Sequence, residues 1–327
     1  MRCISKRIAL LSVLILSFLS VSGCGEVSYG VHYDKDSTKS AFRFESQDTR
    51  ECADGFAANL CIPGEESTSE NEIEAGSDSY SAAMLFDLKG KKTLYCRHPY
   101  ERLYPASMTK VLTAIVAMEN CDMDQVLIAN EDCVLTENDV QKIKLKAGDT
   151  MTLDQALHIL LIFSANDVAN LIAVNVAGSL DAFADMMNEE ALALGATNSH
   201  FINPSGLHDD DHYTTAYDMY LIFNKAISYG KFIEIISMSD YSTIYHNSSG
   251  EDIPFECETT NRFLNGKYPV PQTATIIGGK TGTTIAAGSC LVLLSKDSSD
   301  NSYISVVMNA DGVDTLYGKT SAMLGLL

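Results

Sequence analysis

Apolar runs with a strand-like pattern lie at both ends of the region that begins near Tyr80. Five such runs can be recognised, at residues 82–88, 93–96, 273–277, 289–294 and 303–308. The turn-forming Lys-Gly-Lys-Lys separates the first two, and the polar segment 296–301 separates the last two, which predicts two hairpins. We therefore expect strands both to open and to close this part of the chain.

Between the strands the apolar positions follow a helical period. A first helix is predicted just after Pro105, with five apolar side chains on one face: Val111, Leu112, Ile115, Val116 and Met118. A second helix is predicted from the capping-box pattern at 152–155 through Ile162. Ser164-Ala165-Asn166 interrupts it before helical spacing resumes at 168–176, and Ser179 predicts the cap of another helix that ends near Gly195.

This order of elements predicts an α/β fold of the α+β type. Strands at the two ends of a domain, with helices between them, favour an antiparallel sheet in which the N- and C-terminal strands meet and pack against a helical block. No internal repeat is visible in the sequence. We expect one catalytic domain over residues 80–327.

The first 79 residues have a different character. Arg2, Lys6 and Arg7 precede an apolar run from 8 to 21 that is short for a membrane span, so residues 1–23 are predicted to be an export signal. Its end, Val21-Ser22-Gly23-Cys24, resembles a lipobox, which predicts lipidation of Cys24 and a position at the extracytoplasmic face of a bacterial membrane. The alternative is an ordinary signal peptide whose cysteine is incidental.

Residues 24–79 are rich in Ser, Glu, Asp and Gly and are predicted to form an acidic tether, with an apolar island at 56–62 able to dock on the domain. The formal net charge of −20 makes nucleic acid an unfavourable partner, because polyphosphate binding needs a basic surface. Beyond Cys3 and Cys24 the chain has an odd number of cysteines: Cys52, Cys61, Cys96, Cys121, Cys133, Cys257 and Cys290. Buried thiols are the default expectation, with a local Cys52–Cys61 bridge left open.

Ser107 and Lys110 bring a hydroxyl and an amine to one face at the start of the first predicted helix. A hydroxyl becomes a good nucleophile when a base takes its proton, and a lysine can be that base when burial or another cation lowers its pKa. A second Ser-x-x-Lys, Ser228 to Lys231, contains a glycine and follows no strand, so we interpret it as a helix end.

Two further motifs follow in order. Ser164-Ala165-Asn166 breaks a helix, and Lys280-Thr281-Gly282 lies on a predicted strand. Ser-x-x-Lys, Ser-x-Asn and Lys-Thr-Gly in this order are typical of penicillin-recognising enzymes. Ser299-Asp300-Asn301 also has the Ser-x-Asn form, but it lies in a predicted turn after the Lys-Thr-Gly strand. Its order and context exclude it.

The segment His208-Asp209-Asp210-Asp211-His212 offers metal ligands, and zinc carboxypeptidases are a competing class. Metal sites need ligands that converge from separate segments, so these consecutive polar residues are interpreted as a loop. We expect neither a metal nor a cofactor, and we expect Asp211 and His212 to cap or brace the segment 213–215.

From about Tyr80 onward the chain resembles the low-molecular-mass penicillin-binding proteins that are serine D-alanyl-D-alanine carboxypeptidases. The resemblance rests on the three motifs and on these stretches: 104–110, 201–207 (Phe-Ile-Asn-Pro-Ser-Gly-Leu), 213–218, 261–262 and 278–282. It implies the penicillin-binding, β-lactamase-like transpeptidase fold. It also implies removal of the terminal D-Ala from peptidoglycan stem peptides and acylation by β-lactams.

The resemblance also implies the role of each residue. Ser107 would be acylated, Lys110 would be its base and Ser164 would relay the proton to the leaving amine. Asn166 would hold the substrate amide, and Lys280, Thr281 and Gly282, with Arg262 nearby, would face the terminal carboxylate. The backbone N–H groups of Ser107 and Thr283 would form the oxyanion hole.

Two alternatives stay open. A serine β-lactamase would need deacylation machinery, and no Glu-x-x-Leu-Asn glutamate lies between Ser164 and Lys280. A non-catalytic penicillin sensor or wall-binding protein would not need the intact second and third motifs.

Overall fold

The computed structural model describes residues 60–63 and 80–327. Within them, nine strands are present: β1 Ala82–Asp87, β2 Lys92–Arg97, β3 Val126–Ile128, β4 Thr150–Thr152, β5 Asp240–His246, β6 Asp252–Glu258, β7 Thr275–Thr284, β8 Gly288–Lys296 and β9 Ser302–Ala310. Seven α-helices accompany them: α1 Lys110–Asn120, α2 Leu153–His158, α3 Asn166–Ala177, α4 Leu180–Ala193, α5 Ala216–Ala226, α6 Gly230–Ile236 and α7 Val313–Leu324.

The larger sheet has five strands in the order β2-β1-β9-β8-β7, all antiparallel to their neighbours. The first strand pairs directly with the last, with Ala82 opposite Met308 and Asp87 opposite Tyr303. The prediction that the terminal strands meet is therefore confirmed. Strand β7, which carries Lys-Thr-Gly, is an edge strand of this sheet, so its outer side is available to form one wall of a site.

Helix α1 lies at the centre of the domain, because every residue from Lys110 to Ala117 is buried. Its apolar side chains join those of α3, α5 and the inner face of the sheet in one continuous core. A separate core lies on the outer face of the sheet, where α7 packs Leu316, Tyr317 and Met323 against β8 and β9. The sheet is thus buried on both faces, which matches the nearly continuous burial of the residues of β8 and β9.

A second sheet, with the order β3-β4-β5-β6, was not predicted. Strands β3 and β4 have three residues each, and β5 and β6 alternate between exposed and partly buried side chains with few large apolar residues. Short or weakly apolar segments like these carry little periodicity, so the sequence pattern does not distinguish them from loops. The terminal helix α7 was missed as well.

The part of the predicted tether that the structure describes, residues 60–63, is docked on the domain. Cys61 is 1% exposed, its N–H donates to the hydroxyl of Tyr220 at 2.9 Å, and Ile62 forms a bridge to Lys92 on the edge strand β2. These residues are the end of the predicted docking island, whose residues 56–59 lie outside the described part of the chain. Cys61 is a free thiol, and Cys52, the other half of the bridge left open above, lies outside the described residues.

Cys133 and Cys290 are buried free thiols too, as expected, whereas Cys96, Cys121 and Cys257 are only partly buried. Burial raises the pKa of Cys290 to about 12. The predictions for the export signal 1–23, for Cys24 and for most of the tether 24–79 lie outside the described residues. Within residues 60–63 and 80–327, no helix combines the length and the apolar character that a membrane span requires.

Candidate active site

The candidate nucleophile, Ser107, lies in a single 3-10 turn, Ala106–Thr109, that leads directly into α1. Ala106 has a φ of 48°, a left-handed conformation that is unfavourable for a residue with a Cβ and bends the chain sharply at the entrance to the turn. Ser107 is partly exposed, whereas Ala106, Met108 and Thr109 are buried. The turn therefore presents the serine, alone among its residues, to solvent.

Lys110, the first residue of α1, is fully buried, and its Nζ lies 2.9 Å from Ser107 Oγ. The same amine donates to Asn166 Oδ1 at 2.6 Å and to the carbonyl of Ser205 at 2.6 Å. A neutral lysine has two N–H groups and one lone pair. Since both acceptors are oxygens that cannot donate, the lone pair of the neutral amine faces Ser107 and can take its proton.

The electrostatic surroundings favour this neutral form. Burial lowers the pKa of Lys110 well below its usual value of 10.5, and the positive charge of Lys280 lowers it further, while Asp167 acts in the opposite direction. Burial and a nearby positive charge are the two effects that convert the ammonium group of a lysine into a general base.

Ser164 reaches the site because helix α2 is broken at that point. Thr152 and Gln155 form the predicted capping box, and α2 continues as a π-helical turn, Ile159–Phe163, before Ser164 adopts a left-handed conformation with φ 70°. A π-turn and a left-handed residue are common where a helix is interrupted for function. Helix α3 then starts at Asn166, whose N–H donates to the carbonyl of Gln141 at 2.8 Å.

Lys280 lies on β7 with its side chain fully buried. Its Nζ donates to Ser164 Oγ at 2.9 Å and to the Thr281 carbonyl at 2.9 Å, and no carboxylate among the described residues is paired with it. Burial lowers the pKa of Lys280 to about 7. The family resemblance implies that Lys280 faces the substrate carboxylate, and this stays a prediction. In the structure, the amine of Lys280 packs against Ser164 at the break in the helix.

The cleft next to these residues has a volume of about 280 Å³. Its lining comprises Ser107, Gln141, Ser164, Thr260, Arg262, Thr281, Gly282, Thr283, Val313, Leu316 and Tyr317. Six of the predicted site residues are in this lining, whereas Lys110, Asn166 and Lys280 form a buried layer behind it. The predicted residues are therefore brought together in two layers.

Gly282 explains how β7 approaches the nucleophile so closely. A Cβ at this position would lie 2.7 Å from the Pro105 carbonyl oxygen and 3.0 Å from the Ser107 nitrogen, so only glycine fits. Ser107 and Thr283 both line the cleft, and the oxyanion role of their backbone N–H groups stays a prediction. The hydroxyl of Thr281 is held by the hydroxyl of Thr260 at 2.6 Å.

Arg262 lines the same cleft and is partly exposed. Its backbone N–H donates to the hydroxyl of Tyr317 at 2.8 Å. Among residues 60–63 and 80–327, its guanidinium has no hydrogen-bond or ion-pair partner. The guanidinium is thus the exposed cationic group of the lining and is free to bind a carboxylate.

Sequence reasoning missed five lining residues: Gln141, Thr260, Val313, Leu316 and Tyr317. None belongs to a motif. Gln141 and Thr260 lie outside the helices and strands, and Val313, Leu316 and Tyr317 lie in the terminal helix α7. Only the packing of distant segments brings them to the cleft, so no local signal identified them.

The alternative motifs lie elsewhere. Ser228 donates to the Lys225 carbonyl at the end of α5, and Lys231 in α6 pairs with Asp154 at 2.8 Å. The second Ser-x-x-Lys was interpreted as a helix end; its Gly230 is also the first residue of α6. Asp300 lies in the turn between β8 and β9, where Lys296 binds it.

The histidine-rich loop was expected to brace residues 213–215. The structure instead directs the ring of His212 toward Thr109 and Ile202. Within the described part of the chain, no group of three His, Cys, Asp or Glu residues is arranged to hold a metal ion.

Comparison with known proteins agrees with this geometry. A family model described as D-alanyl-D-alanine carboxypeptidase, peptidase S11, matches residues 65–312. The D-alanyl-D-alanine carboxypeptidase DacF of Bacillus subtilis is 33% identical over 236 residues, which cover 70% of this chain and 56% of DacF. The chain thus spans little more than half the length of this curated relative.

Solved structures show the same fold. A D-alanyl-D-alanine carboxypeptidase from Mycobacterium tuberculosis matches with a TM-score of 0.67 and 26% identity, over 81% of this chain and 96% of that chain. The DD-transpeptidase of Streptomyces K15 matches with a TM-score of 0.69 and 22% identity, over 76% of this chain and 96% of that chain. These likenesses confirm the predicted transpeptidase fold, and the family match over most of the sequence shows that the chain belongs to the D-alanyl-D-alanine carboxypeptidase family, peptidase S11.

Proposed function

We propose that this protein is a serine D-alanyl-D-alanine carboxypeptidase that removes the terminal D-Ala from peptidoglycan stem peptides and is acylated by β-lactams. The observation that carries the proposal is the buried amine of Lys110, whose two N–H groups bind Asn166 and Ser205 and whose third position faces Ser107 at 2.9 Å. Family membership and the names of the relatives support the same substrate.

In the acylation step, Ser107 Oγ forms a bond to the carbonyl carbon of the penultimate D-Ala while its proton passes to Lys110 Nζ. The backbone N–H groups of Ser107 and Thr283 receive the developing oxyanion. The C–N bond to the terminal D-Ala then breaks, and its amine leaves with a proton relayed through Ser164. Lys280 holds the Ser164 hydroxyl by donating to its oxygen, which leaves that hydroxyl free to pass a proton on.

Deacylation needs water to attack the Ser107 ester, which returns the serine and releases the shortened peptide as an acid. A class A β-lactamase carries a glutamate dedicated to this step, and the sequence between Ser164 and Lys280 lacks the corresponding motif. The nearest buried carboxylate in sequence, Asp167, is occupied by the N–H groups of Ile143, Leu145 and Val168. A penicilloyl ester should therefore be long-lived, which disfavours the β-lactamase alternative.

Mixing the protein with benzylpenicillin should add one penicilloyl group, and peptide mapping should place it on Ser107. The measurement is intact-mass spectrometry, followed by the same experiment with a peptide ending in D-Ala-D-Ala and detection of released D-Ala. The Ser107→Ala variant should remain unmodified, and Ser228→Ala should react like the wild type.

An adduct on Ser228, or no adduct at all, would contradict the proposal. Rapid loss of the adduct would favour a β-lactamase. An adduct without release of D-Ala from any peptide would favour a penicillin sensor.

Removing the Arg262 guanidinium should reduce activity on peptides with a free terminal carboxylate. A charge-assisted hydrogen bond contributes about 1.5 to 3 kcal/mol, so Arg262→Ala should lower kcat/KM roughly ten- to a hundredfold on the free acid. An amidated peptide offers no such charge, so kcat/KM on this peptide should fall little in Arg262→Ala.

Kinetics on matched acid and amide peptides test this expectation. Arg102→Ala is a suitable control, because Arg102 is an exposed arginine stacked on Tyr213 outside the cleft lining. An unchanged acid-to-amide ratio in Arg262→Ala would mean that Arg262 does not recognise the carboxylate.

We further propose that the protein acts at the outer face of a bacterial membrane, held by lipid on Cys24. The lipobox-like Val21-Ser22-Gly23-Cys24 supports this proposal. In the producing cell, Cys24→Ser should leave the signal uncut or release the protein from the membrane, as judged by its mass and by membrane fractionation. Cys52→Ser should fractionate like the wild type. Normal processing and membrane retention of Cys24→Ser would refute lipid anchoring.

A further inference from the structure

His212 is buried next to the Ser-x-x-Lys turn and takes no part in the steps above. It is 2% exposed, and its ring packs edge-on against Phe201 with centroids 5.4 Å apart. The N–H of Ile202 donates to Nδ1 at 3.1 Å, and Nε2 lies 2.8 Å from Thr109 Oγ1. Because a backbone amide can only donate, Nδ1 carries no proton, and the ring N–H is at Nε2 and points to Thr109.

The surroundings keep this imidazole neutral. Burial lowers the pKa of His212 to about 4, and the charges of His200, Lys110 and His208 act in the same direction, while Asp209 opposes them. A neutral ring with one donor and one acceptor makes both of its hydrogen bonds inside the protein. His212 is therefore a fully satisfied bridge between two segments.

One end of the bridge is Thr109, which is fully buried and lies between Ser107 and Lys110 in the turn. The other end is Ile202, at the start of the loop 202–206. Asn203 Oδ1 folds this loop by accepting from the N–H groups of Ser205 at 3.1 Å and Gly206 at 2.8 Å.

The loop packs tightly on the turn. Gly206 has a φ of 81°, and a Cβ there would collide with the Ala106 carbonyl oxygen. The Ser205 carbonyl of the same loop accepts from Lys110 Nζ at 2.6 Å. The position of that carbonyl decides where one of the two N–H groups of the lysine points.

We propose that His212 is a positioning residue for Lys110: through Thr109 and Ile202 it clamps the Ser-x-x-Lys turn to the loop 202–206 and so fixes the carbonyl that directs the lysine amine toward Ser107. The kinetic consequence rests on the function proposed above, whereas the geometry does not. Without the clamp, the loop can shift and water can reach Lys110. Its pKa then rises, and its lone pair is aimed less accurately at Ser107.

Kinetics of acylation by benzylpenicillin form the first arm of the test. His212→Ala should lower the acylation rate about ten- to a hundredfold, as expected for a catalytic group misplaced by about 1 Å. His212→Gln, which keeps a donor and an acceptor on one side chain, should recover much of the rate. Thr109→Val should lower the acylation rate as much as His212→Ala does, whereas Thr109→Ser, which keeps the hydroxyl, should acylate at close to the wild-type rate.

The two losses should not add in the double variant His212→Ala/Thr109→Val, because both variants break one bridge. His246→Ala is the matched control, since His246 is an exposed histidine on β5. If His212→Ala does not fold, Thr109→Val and His212→Gln still decide the matter.

Nuclear magnetic resonance forms the second arm and needs no substrate. In histidine-labelled wild type, the nitrogen shifts of His212 should show the proton on Nε2 and no titration above about pH 5. In lysine-labelled protein, the pKa of Lys110 should be higher in Thr109→Val and His212→Ala than in the wild type, and the acid limb of the acylation rate should move with it.

An unchanged Lys110 pKa and acid limb, together with a lowered melting temperature, would show that His212 is merely structural and would overturn the proposal. So would additive losses in the double variant. Failure of the wild type to form a penicilloyl ester would contradict the proposed function alone, because the resonance arm would still report on the clamp.

Discussion

Lys110→Met is expected to lower the rate of Ser107 acylation about 10²- to 10⁴-fold, the usual range for loss of a general base. Methionine fits the buried site without supplying a lone pair of comparable basicity. In the wild type the reactive form is the neutral amine, so the rate should rise with pH through the lowered pKa of Lys110 and level off well below pH 10.5. The variant should lack this limb. Stopped-flow acylation by a chromogenic cephalosporin, measured across pH, provides the test.

The second Ser-x-x-Lys supplies a matched control. Lys231 is partly exposed and pairs with Asp154 and Glu234 on the surface, where such pairs contribute little to stability. Lys231→Met should therefore acylate at the wild-type rate. A Lys110→Met enzyme that keeps its rate and pH profile would exclude Lys110 as the base.

Lys280→Met is expected to move activity and stability in opposite directions. Activity should fall about 10²-fold or more, because Ser164 loses the donor that holds its hydroxyl and Lys110 loses a nearby positive charge. Since that charge lowers the pKa of Lys110, the acid limb of the remaining activity should shift to higher pH. At the same time, the free energy of unfolding at pH 6 should increase by about 1 to 4 kcal/mol, as when a buried ion is replaced by an apolar side chain.

The pH dependence of the stability difference follows from linkage. The pKa of Lys280 is about 7 in the folded state and about 10.5 in the unfolded chain, so between these values the unfolded state binds more protons. Wild-type stability contributed by this group therefore rises from pH 7 to about 10.5, and the full penalty of a buried charge is present below pH 7. The advantage of Lys280→Met should be greatest below pH 7 and should shrink at alkaline pH.

Urea unfolding of both proteins at several pH values measures this difference. Lys267→Met, at an exposed lysine paired with Glu258, controls for the loss of one positive charge. A variant that is less stable than the wild type at pH 6, or a difference that does not change with pH, would show that Lys280 is not a strained buried cation.

The order of motifs and the periodicity of the helices predict the elements that carry Ser107, Ser164 and the paired terminal strands. Thr152 and Gln155 form a local capping box, Ser164 interrupts an otherwise continuous apolar helix, and the strands 289–294 and 303–308 are apolar because both faces of the sheet are covered. Each of these features depends on interactions within a few residues or on burial of a whole element. Local sequence carries such information directly.

The tertiary structure alone decided how the charged groups are used. Lys110 and Lys280 belong to different motifs, but only packing shows that one amine faces Ser107 and the other donates to Ser164, and that burial depresses the pKa of both. The partners Ser205, Thr260 and Tyr317 come from separate loops and from the terminal helix, and no periodicity marks them. A side chain's pKa and hydrogen-bond partners depend on the dielectric surroundings and on contacts between distant segments, which exist only after the chain has folded.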